Sequence, residues 1–187
     1  GQAADQFSQL LEAFNRLDQF NFIFTASNAD SEGNVINEMI ETFVNNNNER
    51  SVIFKSLGNR RYSSMMTHCD VVVGNSSSGI LEAPTIRVPV INIGTRQEGR
   101  LKASNVIDCD ANLESILNAF KYINNSAYKA KLSKCKTDIF GDGRFVFPRE
   151  LGREDLYTSL VRSRFEGLGK SQSTNFSLTY FPKQKEN

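Results

Sequence analysis

"VVVGNSSSGILEAP", residues 71–84, decides the fold. Three consecutive valines form a continuous apolar run, the pattern of a strand covered on both faces. The run stops at Gly74 and passes into Asn75, Ser76, Ser77, Ser78 and Gly79, small residues suited to a tight turn and a helix start. A buried strand that turns directly into a helix is the repeating unit of a parallel α/β sheet.

The same unit recurs on either side. Phe7, Leu10, Leu11, Phe14 and Leu17 lie at helical spacing within 6–20, and "NFIFTAS" (21–27) follows as a short buried strand. The turn formers of "NADSEGN" lead to a second helix, carried by Val35, Met39, Ile40 and Phe43, which ends in the polar "NNNNE" (45–49). "SVIFKSL" (51–57) is a strand, 60–69 a short helix, and "DVVVGN" (70–75) the strand of the opening stretch. "VPVINIG" (88–94) and "NVIDC" (105–109) are further strands, and "NLESILNAFKYI" (112–123) is an amphipathic helix. The expected fold is α/β and Rossmann-like, a parallel sheet with helices on both faces. After Gly143 the pattern changes to a charged helical stretch (149–167), a polar linker (169–175) and "FSLTYF" (176–181). The expected division is therefore a domain over 1–143 and a tail over 144–187.

Composition narrows the partners. The chain has 187 residues, 39% hydrophobic and 23% charged, a balance suited to a globular domain with a sizeable core. A net charge of +1 argues against nucleic acid or a membrane surface as a partner. No apolar run approaches a membrane span, and "GQAAD" is not a signal peptide. Cys69, Cys109 and Cys135 are odd in number and widely spaced, so neither a disulfide framework nor a zinc site is expected, and a reducing cytoplasm is the expected location. His68, the single histidine, sits in "THCD" as a helix-end contact rather than a metal ligand.

The serine loop leaves the C-terminal end of a parallel strand and enters a helix, where unpaired backbone N–H groups face outward. Ser76, Ser77, Ser78 and Gly79 let an anion come close to that backbone and add hydroxyl donors, and Glu82 lies a turn further on, within reach of a ribose diol. By itself the loop is equally an ordinary serine-rich cap with a solvated glutamate. The next strand ends in "NIGTRQEGR" (92–100), whose Arg96 and Arg100 would bring forked cationic donors to the same edge of the sheet. Two adjacent strand ends with complementary chemistry favour a phosphorylated ligand, a diphosphate above all.

Together "GNSSSGILEAP" and "PVINIGTRQEGR", with "FIFTASNAD", "SLGNRRY" and "IFGDG", resemble the C-terminal half of the hydrolysing UDP-N-acetylglucosamine 2-epimerases, over about Gln6 to Gly143. The resemblance implies one half of a glycosyltransferase-B arrangement, with UDP or a UDP-sugar as ligand. It places Ser76 and Ser77 on the UDP phosphates, Glu82 on the ribose, Arg96 in the "GTRQ" loop, Asn28 near the nucleotide and Leu57 at the uracil. Outside the resemblance, Asn28 is a turn residue and Leu57 a strand-end core contact. The implied reaction eliminates UDP to a glycal and adds water, giving N-acetylmannosamine. Its acid–base carboxylates belong to an N-terminal half without a counterpart in this sequence. The chain alone is thus expected to bind without turning over, with no catalytic residue, metal or cofactor of its own. Its expected partner is that missing domain, and homo-oligomerisation is left open.

Two rival readings remain. The pattern S-x-S-G-x-x-x-E marks sugar isomerase domains that bind phosphosugars, but only Ile80 and Leu81 separate Gly79 from Glu82, one residue short. The nucleotide half of a UDP-sugar glycosyltransferase would need an acceptor site, and the sequence displays none.

In the resembling family a strand ending in a "TYHP"-like loop precedes the helix that here opens the chain. "LTYFP" near the C-terminus resembles that strand. The expectation is a circular permutation in which Phe176–Phe181 supplies the central strand, between Phe22–Thr25 and Asp70–Val73, with the termini close and Phe181 where the family has a histidine; the alternative is an unrelated extension.

Overall fold

The computed structural model describes residues 2–26, 31–134 and 175–180. In chain order the elements are α1 (Gln2–Asn15), β1 (Phe20–Thr25), α2 (Ser31–Asn46), β2 (Ser51–Phe54), α3 (Gly58–His68), β3 (Val71–Gly74), α4 (Ser77–Leu81), α5 (Ala83–Ile86), β4 (Val90–Ile93), β5 (Val106–Cys109), α6 (Leu113–Ile123), α7 (Ser126–Ser133) and β6 (Asn175–Tyr180). The six strands form one sheet in the order β2-β1-β6-β3-β4-β5. Every pairing is parallel. Counting β6 first turns this into the 3-2-1-4-5-6 order of a Rossmann sheet. β6 is hydrogen-bonded on both sides, with Leu178 in register with Ile23 of β1 and with Val72 of β3. Asn28, Cys135, the 141–143 turn and the helix expected over 149–167 lie outside the described residues.

Alternation within the strands divides the core into two layers. Phe22, Phe24, Val71, Val73, Ile91 and Ile93 join the apolar sides of α1, α2, α6 and α7. Ile23, Val72 and Val90 point the other way, onto Leu57, Met65, Met66, Cys69, Ala83 and Val88. Phe14 is the hub of the first layer. It stacks on Phe22 with ring centroids 4.2 Å apart and meets Phe43 and Phe120 edge-on at 6.3 and 6.1 Å.

Several boundaries differ from the sequence expectation. The first helix ends at Asn15, not Phe20, because the chain tightens through the bonds Arg16 N–H to Ala13 O and Leu17 N–H to Phe14 O. Arg50 then occupies the helix end: its guanidinium donates to Phe14 O (3.1 Å), Leu17 O (3.0 Å) and Asn47 Oδ1 (2.9 Å), 5.1 Å from the Phe22 ring centre. In α2 Ile40 and Phe43 are buried and Met39 packs against them as expected, while Ile36 joins that face and Val35 is 45% exposed. Asn112 caps α6 instead of belonging to it, accepting from Ser115 N at 2.9 Å. α7 was not foreseen, since only Tyr128 among its residues is buried and no apolar stripe announces it.

Candidate functional site

Parallel strands bring the C-terminal ends of β1, β2, β3 and β4 to one edge, and a cavity of about 430 Å³ opens there. Its walls are Thr25 and Ala26 behind β1, residues 55–59 behind β2, Tyr62 on α3, Ser76, Ser77 and Ser78 behind β3, Glu82 between α4 and α5, and Arg96 behind β4. The cavity straddles the centre of the sheet, where the order of connections reverses, the usual place for a ligand in an open α/β fold. Its volume lies within the range of small-molecule sites.

The serine loop is built by hydroxyls bonding to each other. Gly74 ends β3 at φ 143°, a conformation that L side chains rarely adopt. Ser76 caps α4, its Oγ accepting from Ser78 N at 3.3 Å. Ser76 Oγ and Ser78 Oγ lie 2.9 Å apart, and Ser78 Oγ is 2.8 Å from the Tyr62 hydroxyl. Ser76 is buried, while Ser77 and Ser78 are half-buried at the cavity wall.

The arginine loop is locked to the serine loop. Gln97, 2% exposed, donates from Nε2 to Asn75 O at 2.7 Å. Gly94 N–H donates to Cys109 O at 2.9 Å, and Glu98 N–H to Thr95 O at 2.8 Å. Arg96 is thereby held half-buried on the cavity wall.

Glu82 is half-buried where α4 meets α5, and burial raises its carboxyl above the usual glutamate range. Among the described residues its carboxylate makes no hydrogen bond or ion pair, so hydroxyl donors of a ligand would meet an unsatisfied acceptor. Leu57 has a double role: it is 5% exposed, belongs to the second core layer and also lines the cavity at the start of α3.

Two expected site residues are placed elsewhere. Gly79 faces β4, where an added Cβ would stand 3.0 Å from Val90 Cγ1, so its smallness serves helix–strand packing. Arg100 is exposed and does not line the cavity, because the turn at 95–98 and the positive φ of Gly99 (72°) carry the chain away after Arg96. Thr25, Lys55, Ser56, Asn59 and Tyr62 were missed. Lys55 and Ser56 directly follow a strand, so the strand-end rule applied to the serine loop would have found them. Tyr62 has no local signal; only the phase of α3 brings it in.

Glu82 is the single carboxyl among the described residues of the wall. His68 is on the last turn of α3 and donates from Nδ1 to Ser64 O at 2.8 Å. Burial, with nearby aspartates, pushes the Cys109 thiol up to about 12 and raises Cys69 further, so neither is a ready nucleophile.

The family model described as UDP-N-acetylglucosamine 2-epimerase matches residues 1–146. The chain belongs to the UDP-N-acetylglucosamine 2-epimerase family. Within this epimerase family it is similar to a GDP/UDP-N,N'-diacetylbacillosamine 2-epimerase (hydrolyzing) of Campylobacter jejuni, 38% identical over 120 residues, which is 64% of this chain and 31% of that one. A UDP-N,N'-diacetylbacillosamine 2-epimerase (hydrolyzing) of Legionella pneumophila is 36% identical over 117 residues, 63% of this chain and 29% of its own. Polysialic acid biosynthesis protein P7 of Escherichia coli is 29% identical over 143 residues, 76% of this chain and 36% of its own. The chain thus spans about a third of the length of these relatives. Membership in the epimerase family removes the phosphosugar-isomerase reading, whose spacing was already one residue short.

Proposed function

We propose that this chain is the nucleotide-binding half of a hydrolysing UDP-sugar 2-epimerase and that the 430 Å³ cavity holds UDP. One observation carries the reading: in a chain of this family, hydroxyls of the serine loop, the Arg96 cation and the Glu82 carboxylate converge on one cavity. Ser76, Ser77 and Arg96 take the two phosphates, Ser78 backs Ser76 through its hydroxyl, Glu82 accepts from the ribose diol, and Leu57 provides an apolar wall for the base. The family resemblance adds Asn28 to this set. The names of the relatives support a UDP-linked N-acetylated sugar, either UDP-N-acetylglucosamine or a diacetylated analogue.

In the 2-epimerase reaction the bond to the diphosphate breaks, and negative charge grows on the leaving UDP. Fixed hydroxyl donors and Arg96 stabilise that charge without having to reorganise. Removal of the sugar proton and addition of water need carboxylates beyond Glu82, which the described residues of this wall do not supply, and we assign them to an N-terminal half. The chain alone therefore binds UDP and releases no N-acetylmannosamine.

Calorimetric titration of the chain with UDP, UMP and uridine tests the assignment. UDP is expected to bind best. Arg96→Ala should cost about 1.5–3 kcal/mol of UDP binding, the scale of a hydrogen bond to a charged group. Equal affinities for UDP and uridine would sink it.

A further inference from the structure

Three hydroxyls in the cavity form a chain: Tyr62 OH to Ser78 Oγ at 2.8 Å and Ser78 Oγ to Ser76 Oγ at 2.9 Å. A hydroxyl has one proton to give and two lone pairs to receive. Ser76 Oγ already accepts from the backbone N–H of Ser78. Two polarities are open to the rest. If Ser76 gives its proton to Ser78, it presents a bare lone pair to the cavity and repels an anion. If Ser78 gives its proton to Ser76, both lone pairs of Ser76 are filled and its own proton is released toward the cavity. In that second state Ser78 has only lone pairs left for Tyr62, so the phenol must donate. A phenol is the more acidic of the two hydroxyl types and the better donor.

We propose that Tyr62 is a positioning residue for the diphosphate: Tyr62 donates to Ser78, Ser78 donates to Ser76, and the Ser76 proton is left for the phosphate. The inference rests on the reading of the cavity as a diphosphate site. Its added content is that α3, an element with no charged group on the cavity wall, sets the proton direction of the serine loop behind β3. Donation along such a chain is cooperative, since each hydroxyl that receives a proton becomes a stronger donor to the next. The chain therefore strengthens as charge builds on the diphosphate. Nucleoside binding, which does not use the phosphate end, is indifferent to it.

The test is calorimetric titration of the wild-type chain, Tyr62→Phe, Ser78→Ala and the double variant with UDP, uridine and inorganic pyrophosphate. Melting curves accompany each variant to show that it is folded. Tyr62→Phe keeps the ring and should weaken UDP and pyrophosphate about fivefold, the scale of one neutral hydrogen bond, while leaving uridine unchanged. Ser78→Ala should weaken UDP at least as much, and the double variant should match Ser78→Ala alone, because one relay is broken in all three. Undiminished UDP binding by Tyr62→Phe, equal losses for UDP and uridine, or additive losses in the double variant would overturn the relay and leave the UDP assignment standing. A wild-type chain that binds neither UDP nor pyrophosphate would overturn both.

Discussion

Burial raises the proton affinity of Glu82, and no cation among the described residues answers its charge. The sign of the effect on stability follows from linkage. A carboxyl whose folded pKa exceeds its unfolded one favours folding at low pH, and that advantage is lost as pH rises from the ordinary glutamate range through the raised value. At neutral pH the ionised carboxylate is thus a small cost to the empty protein. Glu82→Gln should raise the melting temperature by about 1–2 °C while weakening UDP by about tenfold, since the diol loses a charged acceptor. In the wild type, UDP affinity should decline as pH is lowered through the raised pKa of Glu82. A variant that loses both stability and affinity would place Glu82 in the scaffold instead of the site. The glutamate was legible in the sequence because its distance from the serine loop is short and local. Tyr62 was not, because sixteen residues and a helix–strand junction separate it from Ser78.

At the scale of elements, α4 rests on β4 through a glycine. Gly79→Ala would set a methyl 3.0 Å from Val90 Cγ1, and a β-branched residue in a buried strand has little room to yield. The expected loss is about 1–3 kcal/mol of stability, the scale of overpacking. Pairing it with Val90→Ala in a double-mutant cycle separates the clash from general damage: the two changes should be less than additive. Full additivity, measured by denaturant unfolding, would show that the contact is slack. Sequence alone assigned Gly79 to the ligand because a glycine after serines looks the same whether backbone or a neighbouring strand needs the space. At Arg100 the charge was legible, but its exposed place off the cavity wall was not. Strands were recovered well, since apolar runs such as "VVVG" require no knowledge of neighbours. The placement of Val35 and the existence of α7 depended on which side the sheet would lie.

For the whole molecule, the decisive placement is β6 between β1 and β3. Each of its neighbours loses a hydrogen-bonded ladder without it. Leu178→Pro removes a backbone donor at the register position shared with Ile23 and Val72, a substitution that central strands do not tolerate. The cooperative thermal transition should be lost or shifted down by more than about 10 °C, an effect well beyond the usual single substitution. An unchanged transition in the far-ultraviolet circular dichroism would mean that the sheet stands without its middle strand. A chain rebuilt so that 175–187 precedes Gln2 should reach the same sheet, in keeping with a permuted order of elements.

The position of β6 also bears on how the protein is made. A ribosome delivers β1 to β5 long before the strand that joins them, so the nascent chain holds two partial sheets, β2-β1 and β3-β4-β5, with open edges facing one another. Such edges are templates for the wrong strand, including one from a neighbouring polysome. Closing the gap brings Phe20 against Asn175, a contact of very long sequence separation and correspondingly slow formation. Yield in cells should consequently depend on translation speed and on holdase chaperones more than the stability of the finished domain would suggest.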